Sequence, residues 1–464
     1  MSLISQQIYK ERRAKFAKSL GARGIAFIPT ATEKQRNRDS DYLYRFDSYF
    51  YYLTGFTEPN ALLVITGDGQ STLFCAPKDP ERELWDGYRL GPVEAPHVLG
   101  VDTAFSNAEL DQVVPVMLEN KMLVSYPFAI HAGFEAQINL WISKVRVKVR
   151  SGIDCPNILH DACSVLDEMR LIKDKQELTT MRRAAQISAV GHMRAMKTCK
   201  QMLRDGRDTH EYHLEAELLH AFRQAGAQHC AYSSIVAGGA NACVLHYRAG
   251  DSKIKSGDLV LIDAACELDG YASDITRTFP ANGKFSEAQR ILYEIVLASQ
   301  SAAIAVTKAG ARFTEPHDAA VSVLAQGMLD VGLLDKNKVG NLQDVIESRA
   351  YFDFYMHRTG HWLGLDVHDC GSYTEPSKDS DCNNQQSFTS SVAKSQERTS
   401  RILKPGMVLT IEPGIYVRPS ASVPDKFHNI GIRIEDDAIV DMHGCELISR
   451  DVPVEISDIE ALMR

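Results

Sequence analysis

One short pattern occurs twice in this chain and constrains its fold more than any other feature. Gly257-Asp-Leu-Val-Leu-Ile-Asp263 and Gly406-Met-Val-Leu-Thr-Ile-Glu412 each run from a glycine through an apolar strand to a carboxylate. Short apolar runs bounded by glycine read as buried strands. Such strands do not normally end in an acid, because an unpaired interior carboxylate costs on the order of several kcal/mol. A fold that accepts both strands must bring a cation to them, and a metal is the usual one where several acids converge.

The segment after Asp263 adds a second acid. Val260-Leu-Ile-Asp-Ala-Ala and Tyr271-Ala-Ser-Asp-Ile-Thr flank Asp269-Gly270, a pair that favours a two-residue hairpin turn. A turn centred there sets Asp263 opposite Thr276. Asp274 then lies on the same sheet face as Asp263 and diagonal to it. A slip of one residue would separate them. Further on, in Gly431-Ile-Arg-Ile-Glu-Asp-Asp437, Ile432 and Ile434 face one side while Arg433 and Glu435 face the other. An arginine beside an inward acid can orient its carboxylate. Met356-His-Arg-Thr-Gly-His-Trp-Leu-Gly-Leu-Asp-Val-His-Asp369 contributes His357, His361 and His368 in one glycine-punctuated segment.

These readings give a candidate set of Asp263, Asp274, Glu412, Glu435 and at least one of the three histidines. Structural zinc sites favour sulfur and nitrogen. An oxygen-rich set suits Mn²⁺, Mg²⁺ or Co²⁺, and shared carboxylates suit two ions about 3.5–4 Å apart. Such a pair generates hydroxide from a bridging water and polarises a carbonyl, so the chemistry implied is hydrolysis. Competing signals are weaker. His210-Glu-Tyr-His213 and His220 read as the solvated face of an amphipathic helix. Ala237-Gly-Gly-Ala-Asn241 matches neither nucleotide-binding glycine pattern, and there is no Gly-x-Ser-x-Gly of a serine hydrolase.

At 464 residues the chain has room for two domains. The first third alternates helix and strand: a helix over 5–20, strands at 24–29, 60–66, 71–75 and 122–126. Tyr42, Tyr44, Tyr49, Phe50, Tyr51 and Tyr52 cluster there, either as a core edge or as a surface for a partner subunit. A boundary falls near 165–178, where a long helix begins at Leu166 and runs to about Lys200. Residues 1–170 form one α/β domain and 171–464 a second, with helices near 208–226, 285–308 and 315–332 and a polar insertion over 371–400.

Lys and Arg total 51 against 60 Asp and Glu, a net charge of −9, which disfavours nucleic acid as a partner. No apolar stretch is long enough for a membrane span. Ten scattered cysteines without a Cys-x-x-Cys pair suit reduced thiols in the cytoplasm. The N-terminal segment is basic and amphipathic. It reads as a plain first helix, with a mitochondrial address left open.

With these motifs in order, the chain resembles the aminopeptidase P (Xaa-Pro aminopeptidase) family of pita-bread metallopeptidases over nearly its full length. The resemblance rests on Tyr51-Tyr-Leu-Thr-Gly-Phe-Thr-Glu-Pro-Asn60, Cys243-Val-Leu-His-Tyr247, Leu259-Val-Leu-Ile-Asp263, Asp274-Ile-Thr-Arg-Thr-Phe279, His361-Trp-Leu-Gly-Leu-Asp-Val-His368 and Glu412-Pro-Gly-Ile-Tyr416. It implies a creatinase-like α/β N-terminal domain that caps the site and mediates a homo-oligomer, dimer or tetramer. It also implies an α+β catalytic domain of pseudo-twofold halves.

The ligands it implies for two divalent ions are Asp263, Asp274, His361, Glu412 and Glu435, with Asp274 and Glu435 bridging. Mn²⁺ comes first as the metal, with Co²⁺ or Zn²⁺ as alternatives. His246, His357 and His368 match substrate-facing histidines, and Tyr232, Tyr416 and Arg433 match the surrounding shell. The activity implied is removal of one residue ahead of a proline. His368 then steadies the oxyanion, Glu412 carries the proton, and His246 and His357 hold the proline and the next residue. The alternatives are a Xaa-Pro dipeptidase on the same scaffold, or a metal-free peptide-binding module. A methionine aminopeptidase would leave the N-terminal domain unexplained.

Overall fold

The computed structural model describes residues 4–248, 250–375 and 399–464. The chain divides into two compact units, Met1–Arg170 and Leu171–Arg464. Most of the polar stretch expected over 371–400 lies outside the described residues.

In the first unit the apolar run Gly24–Pro29 is buried along its whole length, as a strand covered on both faces must be. It is central in a six-stranded sheet ordered Thr103–Ser106, Ser71–Cys75, Leu62–Thr66, Gly24–Pro29, Leu123–Tyr126, Ile158–Asp161. The helix Gln6–Leu20 carries Arg12 and Arg13 into the interior. Arg13 donates to the carbonyls of Leu53 and Leu99, and Arg12 to that of Tyr52. These are carbonyls in the last turns of the helices Ser48–Thr54 and Gly91–Leu99, where cations are favoured. The basic N-terminal segment is thus built into the fold. Of the aromatic cluster, Tyr49, Phe50, Tyr51 and Tyr52 are core residues, whereas Tyr42 is exposed.

The second unit opens with a correction. The long helix expected from Leu166 is two helices, Cys163–Leu171 and Lys175–Arg204. Between them Asp174 caps the second, accepting from the amides of Gln176 and Glu177, while Glu177 reaches back to the Asp174 amide. Lys173 turns inward to a fully buried Asp369, Nζ to Oδ2 2.9 Å. Helical periodicity runs through this stretch, but a charge pair and a cap break it.

The helices Lys175–Arg204, Glu211–Gln224, Glu287–Val306 and Glu315–Asp330 accompany small antiparallel sheets. In one sheet the Asp263 strand, Leu259–Asp263, lies between Ile235–Gly238 and Thr276–Pro280. In another, the strand leading to Glu412, Val408–Ile411, pairs with Asp436–Val440. The turn Asp269-Gly270 has positive φ at both residues, 48° and 81°, and the register sets Asp263 opposite Thr276. The other ladder closes with Ile411 opposite Asp436, so the next residues outward are Glu412 and Glu435. Each half therefore delivers two acids from adjoining strands.

Candidate metal centre

All four acids and the three histidines His357, His361 and His368 line one cavity of about 1000 Å³, with Tyr232, His246 and Arg433. Tyr416, behind this wall, is fully buried. Asp274, His361 and Glu435 offer ligand atoms that lie within 4.8 Å of one another. Asp263 joins them through Tyr232, whose hydroxyl is 2.6 Å from Asp263 Oδ1 and 2.5 Å from Asp274 Oδ1. Glu412 Oε1 lies 3.8 Å from His361 Nε2, and Asp274 Oδ2 3.4 Å from it.

The register explains how distant residues meet. Asp263 and Asp274 share one sheet face, and the Glu435 amide donates to the Thr276 carbonyl at 3.1 Å. Thr276 Oγ1 also donates to Glu435 Oε2 at 2.7 Å, so one hairpin positions acids from both halves. His361 is stitched to the Glu412 strand: the Thr410 amide donates to the His361 carbonyl, and the His361 amide to Thr410 Oγ1. Gly360 must be glycine for that approach, since a Cβ would stand 2.0 Å from the Thr410 carbonyl oxygen.

The electrostatics call for a cation. Burial raises the pKa of Glu412 to about 7, despite His361 and Arg433 nearby. Glu435 is pushed well up by burial and by Asp274 and Glu412. Asp263 is raised by burial, with Arg433 opposing. Burial opposes a charge on His361, yet Asp274 and Glu412 outweigh it and lift the imidazole to about 9. His361 Nδ1–H donates to the Trp362 carbonyl at 2.8 Å, which leaves Nε2 toward the acids. Four converging carboxylates with one imidazole nitrogen aimed among them fit divalent cations held through oxygen and nitrogen.

Around this core a relay fixes the remaining groups. Arg433 donates to Asp263 Oδ2 at 2.6 Å, to Thr276 Oγ1 at 3.1 Å and to the Tyr416 hydroxyl at 2.9 Å. Burial works against the Arg433 charge, but Tyr416, Asp263 and Glu435 hold it firmly in place. Tyr416 O–H points to His357 Nε2 at 2.8 Å, because His357 Nδ1–H is committed to the Arg358 carbonyl. Burial lowers His357 to about 3, so it is neutral. Burial and His361 lower His368, whose ring packs edge-on to His361 with centroids 4.3 Å apart. His246 is exposed on the cavity wall.

Sequence reasoning missed several supporting residues. Both oxygens of buried Asp437 accept from the Asp274 amide, at 3.2 and 3.1 Å. His192 Nε2 donates to the carbonyl of Ala264, next to Asp263, at 2.7 Å. The helix expected to show a solvated His-Glu-Tyr-His face instead buries Glu211 completely. Glu211 accepts from the Gly238 amide, Asn241 Nδ2 and the Tyr247 hydroxyl, so the glycine-rich segment and the loop bearing His246 hang on one carboxylate. A run of three acids after Ile434 was the one available hint of Asp437. Glu211 had none.

This geometry gathers four carboxylates and an imidazole, a set that could hold metal ions, in one cavity of an α+β domain preceded by an α/β unit. Residues 179–442 match the model of Metallopeptidase family M24, and residues 9–125 that of the aminopeptidase P N-terminal domain. The chain belongs to metallopeptidase family M24. It is 40% identical over 466 residues to a Xaa-Pro aminopeptidase of Haemophilus influenzae, covering 100% of this chain and 98% of that one. The structure of Pseudomonas aeruginosa aminopeptidase PepP aligns with a TM-score of 0.91 at 42% identity, covering 100% of this chain and 99% of that one. A zinc-substituted Escherichia coli aminopeptidase P in complex with product aligns with a TM-score of 0.90 at 39% identity, covering 99% and 98%.

Proposed function

We propose that the cavity is the active site of a metal-dependent Xaa-Pro aminopeptidase, in which unit 171–464 is the catalytic domain. The chain removes the N-terminal residue from peptides with proline second. One observation carries the site assignment: Asp274, His361 and Glu435 present ligand atoms within 4.8 Å of one another, flanked by Asp263 and Glu412, in a cavity that admits a peptide. These five residues would hold two divalent ions, Mn²⁺ first and Co²⁺ or Zn²⁺ as alternatives. When bound, the ions supply an activated water and polarise the scissile carbonyl.

The protein's own groups do the rest. Arg433 and Tyr232 fix Asp263, and Thr276 fixes Glu435, so the ligand set is held before substrate arrives. His368 donates to the oxygen that gains charge in the transition state. Glu412, at one edge of the set, returns the proton to the proline nitrogen as the bond breaks. Proline's tertiary amide carries no N–H, and His246 and His357, with Tyr416 behind, form the wall that receives its ring. A carboxylate of the ligand set meets the free amine and limits cleavage to the first residue.

A homo-oligomer formed through the N-terminal domain is supported by Leu84 and Trp85, each 85% exposed on a helix, Pro80–Asp86, that buries none of its residues. A cytoplasmic setting is supported by the nine described cysteines, all free thiols. Among the described residues no helix is long and apolar enough to cross a membrane.

The test is a panel of Gly-Pro, Xaa-Pro-Xaa and proline-free peptides, run after chelation and again with Mn²⁺, Co²⁺ or Zn²⁺ restored. Tripeptides with proline second should lose one residue, with activity abolished by chelator and recovered best with Mn²⁺. Cleavage confined to Gly-Pro would make the chain a dipeptidase. Binding without cleavage under every metal would make it a peptide-binding module.

A further inference from the structure

We propose that the cavity prefers peptides with a carboxylate immediately beyond the proline, and that Arg248 and Arg358 recognise it. The inference rests on the reading above, in which His246 and His357 receive the proline ring. Each of these histidines is followed closely by an arginine: His246-Tyr-Arg248 and His357-Arg358. Both arginines line the same cavity, and both are exposed. A chain that leaves the proline wall must pass them.

The charges of the lining leave these two unanswered. Its acids are Asp263, Asp274, Glu412 and Glu435, all assigned to the cations. Its third arginine, Arg433, is engaged with Asp263 and Tyr416. Among the described residues, neither Arg248 nor Arg358 has an ion-pair partner. Asp318 feels the field of Arg358 but does not line the cavity. His317, on the same wall, is neutral, since burial, with Arg358 and Arg349, lowers it to about 4. Among the described residues the outer wall therefore carries positive charge and no compensating acid.

Hydrogen bonds hold the backbone at Arg358 and the residue before Arg248. The Arg358 carbonyl accepts from His357 Nδ1, and the next residue, Thr359, is bonded to His317 Nδ1 at 2.8 Å. Tyr247, before Arg248, is anchored by its hydroxyl to buried Glu211 at 2.7 Å. A guanidinium whose donor fork has no partner among the described residues suits a carboxylate better than any neutral group. That carboxylate has two sources, an acidic third residue or the free C-terminus of a tripeptide.

The experiment compares kcat/KM for Ala-Pro-Glu-NH₂, Ala-Pro-Gln-NH₂ and Ala-Pro-Lys-NH₂, and for Ala-Pro-Ala with and without C-terminal amidation, in low and high salt. The glutamate peptide should exceed the lysine peptide about tenfold, chiefly in KM, with the ratio shrinking as salt screens the wall. Arg248→Gln/Arg358→Gln should bring the ratio to about one, and Arg358→Glu should invert it. A preference for the free acid of Ala-Pro-Ala alone would support the proposal with the terminus as the source.

Equal rates for all charges, or a ratio that survives in the double variant, would overturn it while hydrolysis of Ala-Pro-Gln-NH₂ left the proposed activity standing. Calorimetry of Pro-Glu-NH₂ against Pro-Lys-NH₂ reads the same preference without turnover, so equal affinities would overturn it even if no peptide were cleaved.

Discussion

Two arginine–aspartate pairs lie a few residues apart beneath and beside the cavity, and their surroundings differ. Arg277 and Asp436 meet at 2.8 Å with both side chains 0% exposed. The remaining Arg277 donors end on the backbone carbonyls of Thr276, Glu435, Ser449 and Val452, and Asp436 is also held by Ser449 and Gln300. Arg433 and Asp263 meet at 2.6 Å, but the other Arg433 donors end on Thr276 Oγ1 and the Tyr416 hydroxyl, and Asp263 opens to the cavity. In the first pair the arginine ends on main chain and the aspartate on Ser449, Gln300 and Arg450, none of which lines the cavity, and the pair braces the strand that follows Glu435. The second is enclosed by side chains that themselves take part in the site. On the proposed reading of the site, the same two residue types serve as scaffold in one place and as working parts in the other.

The contrast can be broken or sharpened by substitution. The largest effect is expected at the proposed cation ligands. Asp274→Ala or Glu435→Ala should lower kcat/KM on a Xaa-Pro peptide about 10⁴-fold, roughly 5.5 kcal/mol, in metal-supplemented assays. Their thermal midpoints should stay level or rise, because one of several crowded carboxylates is gone. Next comes Arg277→Met, expected to lower unfolding stability by about 3 kcal/mol in urea titrations, since it leaves four buried carbonyls without this donor and Asp436 with only Arg450, 3.1 Å away, as a cationic partner. Arg277→Met/Asp436→Leu should regain only part of that loss, because the carbonyls stay without the guanidinium and Arg450 loses its partner. The smallest is Arg433→Met, with kcat reduced roughly 10²–10³-fold, about 3–4 kcal/mol, and a urea midpoint moved far less than by Arg277→Met. If Arg433→Met unfolded as readily as Arg277→Met, the division between scaffold and site would fail.

What could be seen in the sequence was what local spacing determines. The turn at Asp269-Gly270 set the register of Asp263 against Thr276, and alternation around Ile432 and Ile434 turned Arg433 and Glu435 inward. Both follow from residues a few positions apart. The helix break before Lys175 did not show in the periodicity, because its partner Asp369 lies 196 residues away. Glu211 looked like part of a solvated face because the groups that bury it, Gly238, Asn241 and Tyr247, approach from another segment. Arg277 likewise sat in a quoted motif without a role, its partner Asp436 being 159 residues on. Long-range closure, which no periodicity encodes, accounts for these omissions.

The stem at Tyr373–Arg401 has a consequence for how this domain can diverge. Here the chain departs and returns side by side, with Glu375 N–H bonded to the Thr399 carbonyl at 2.9 Å and Arg401 N–H to that of Tyr373 at 2.9 Å. His361 and Glu412 lie on opposite sides of this clasp yet are joined by their own backbone pairing through Thr410. Tyr373, Thr374 and Ser400 of the stem also line the cavity, so a change of chain length here would leave the His361–Thr410 pairing alone but reach the wall that a substrate would meet.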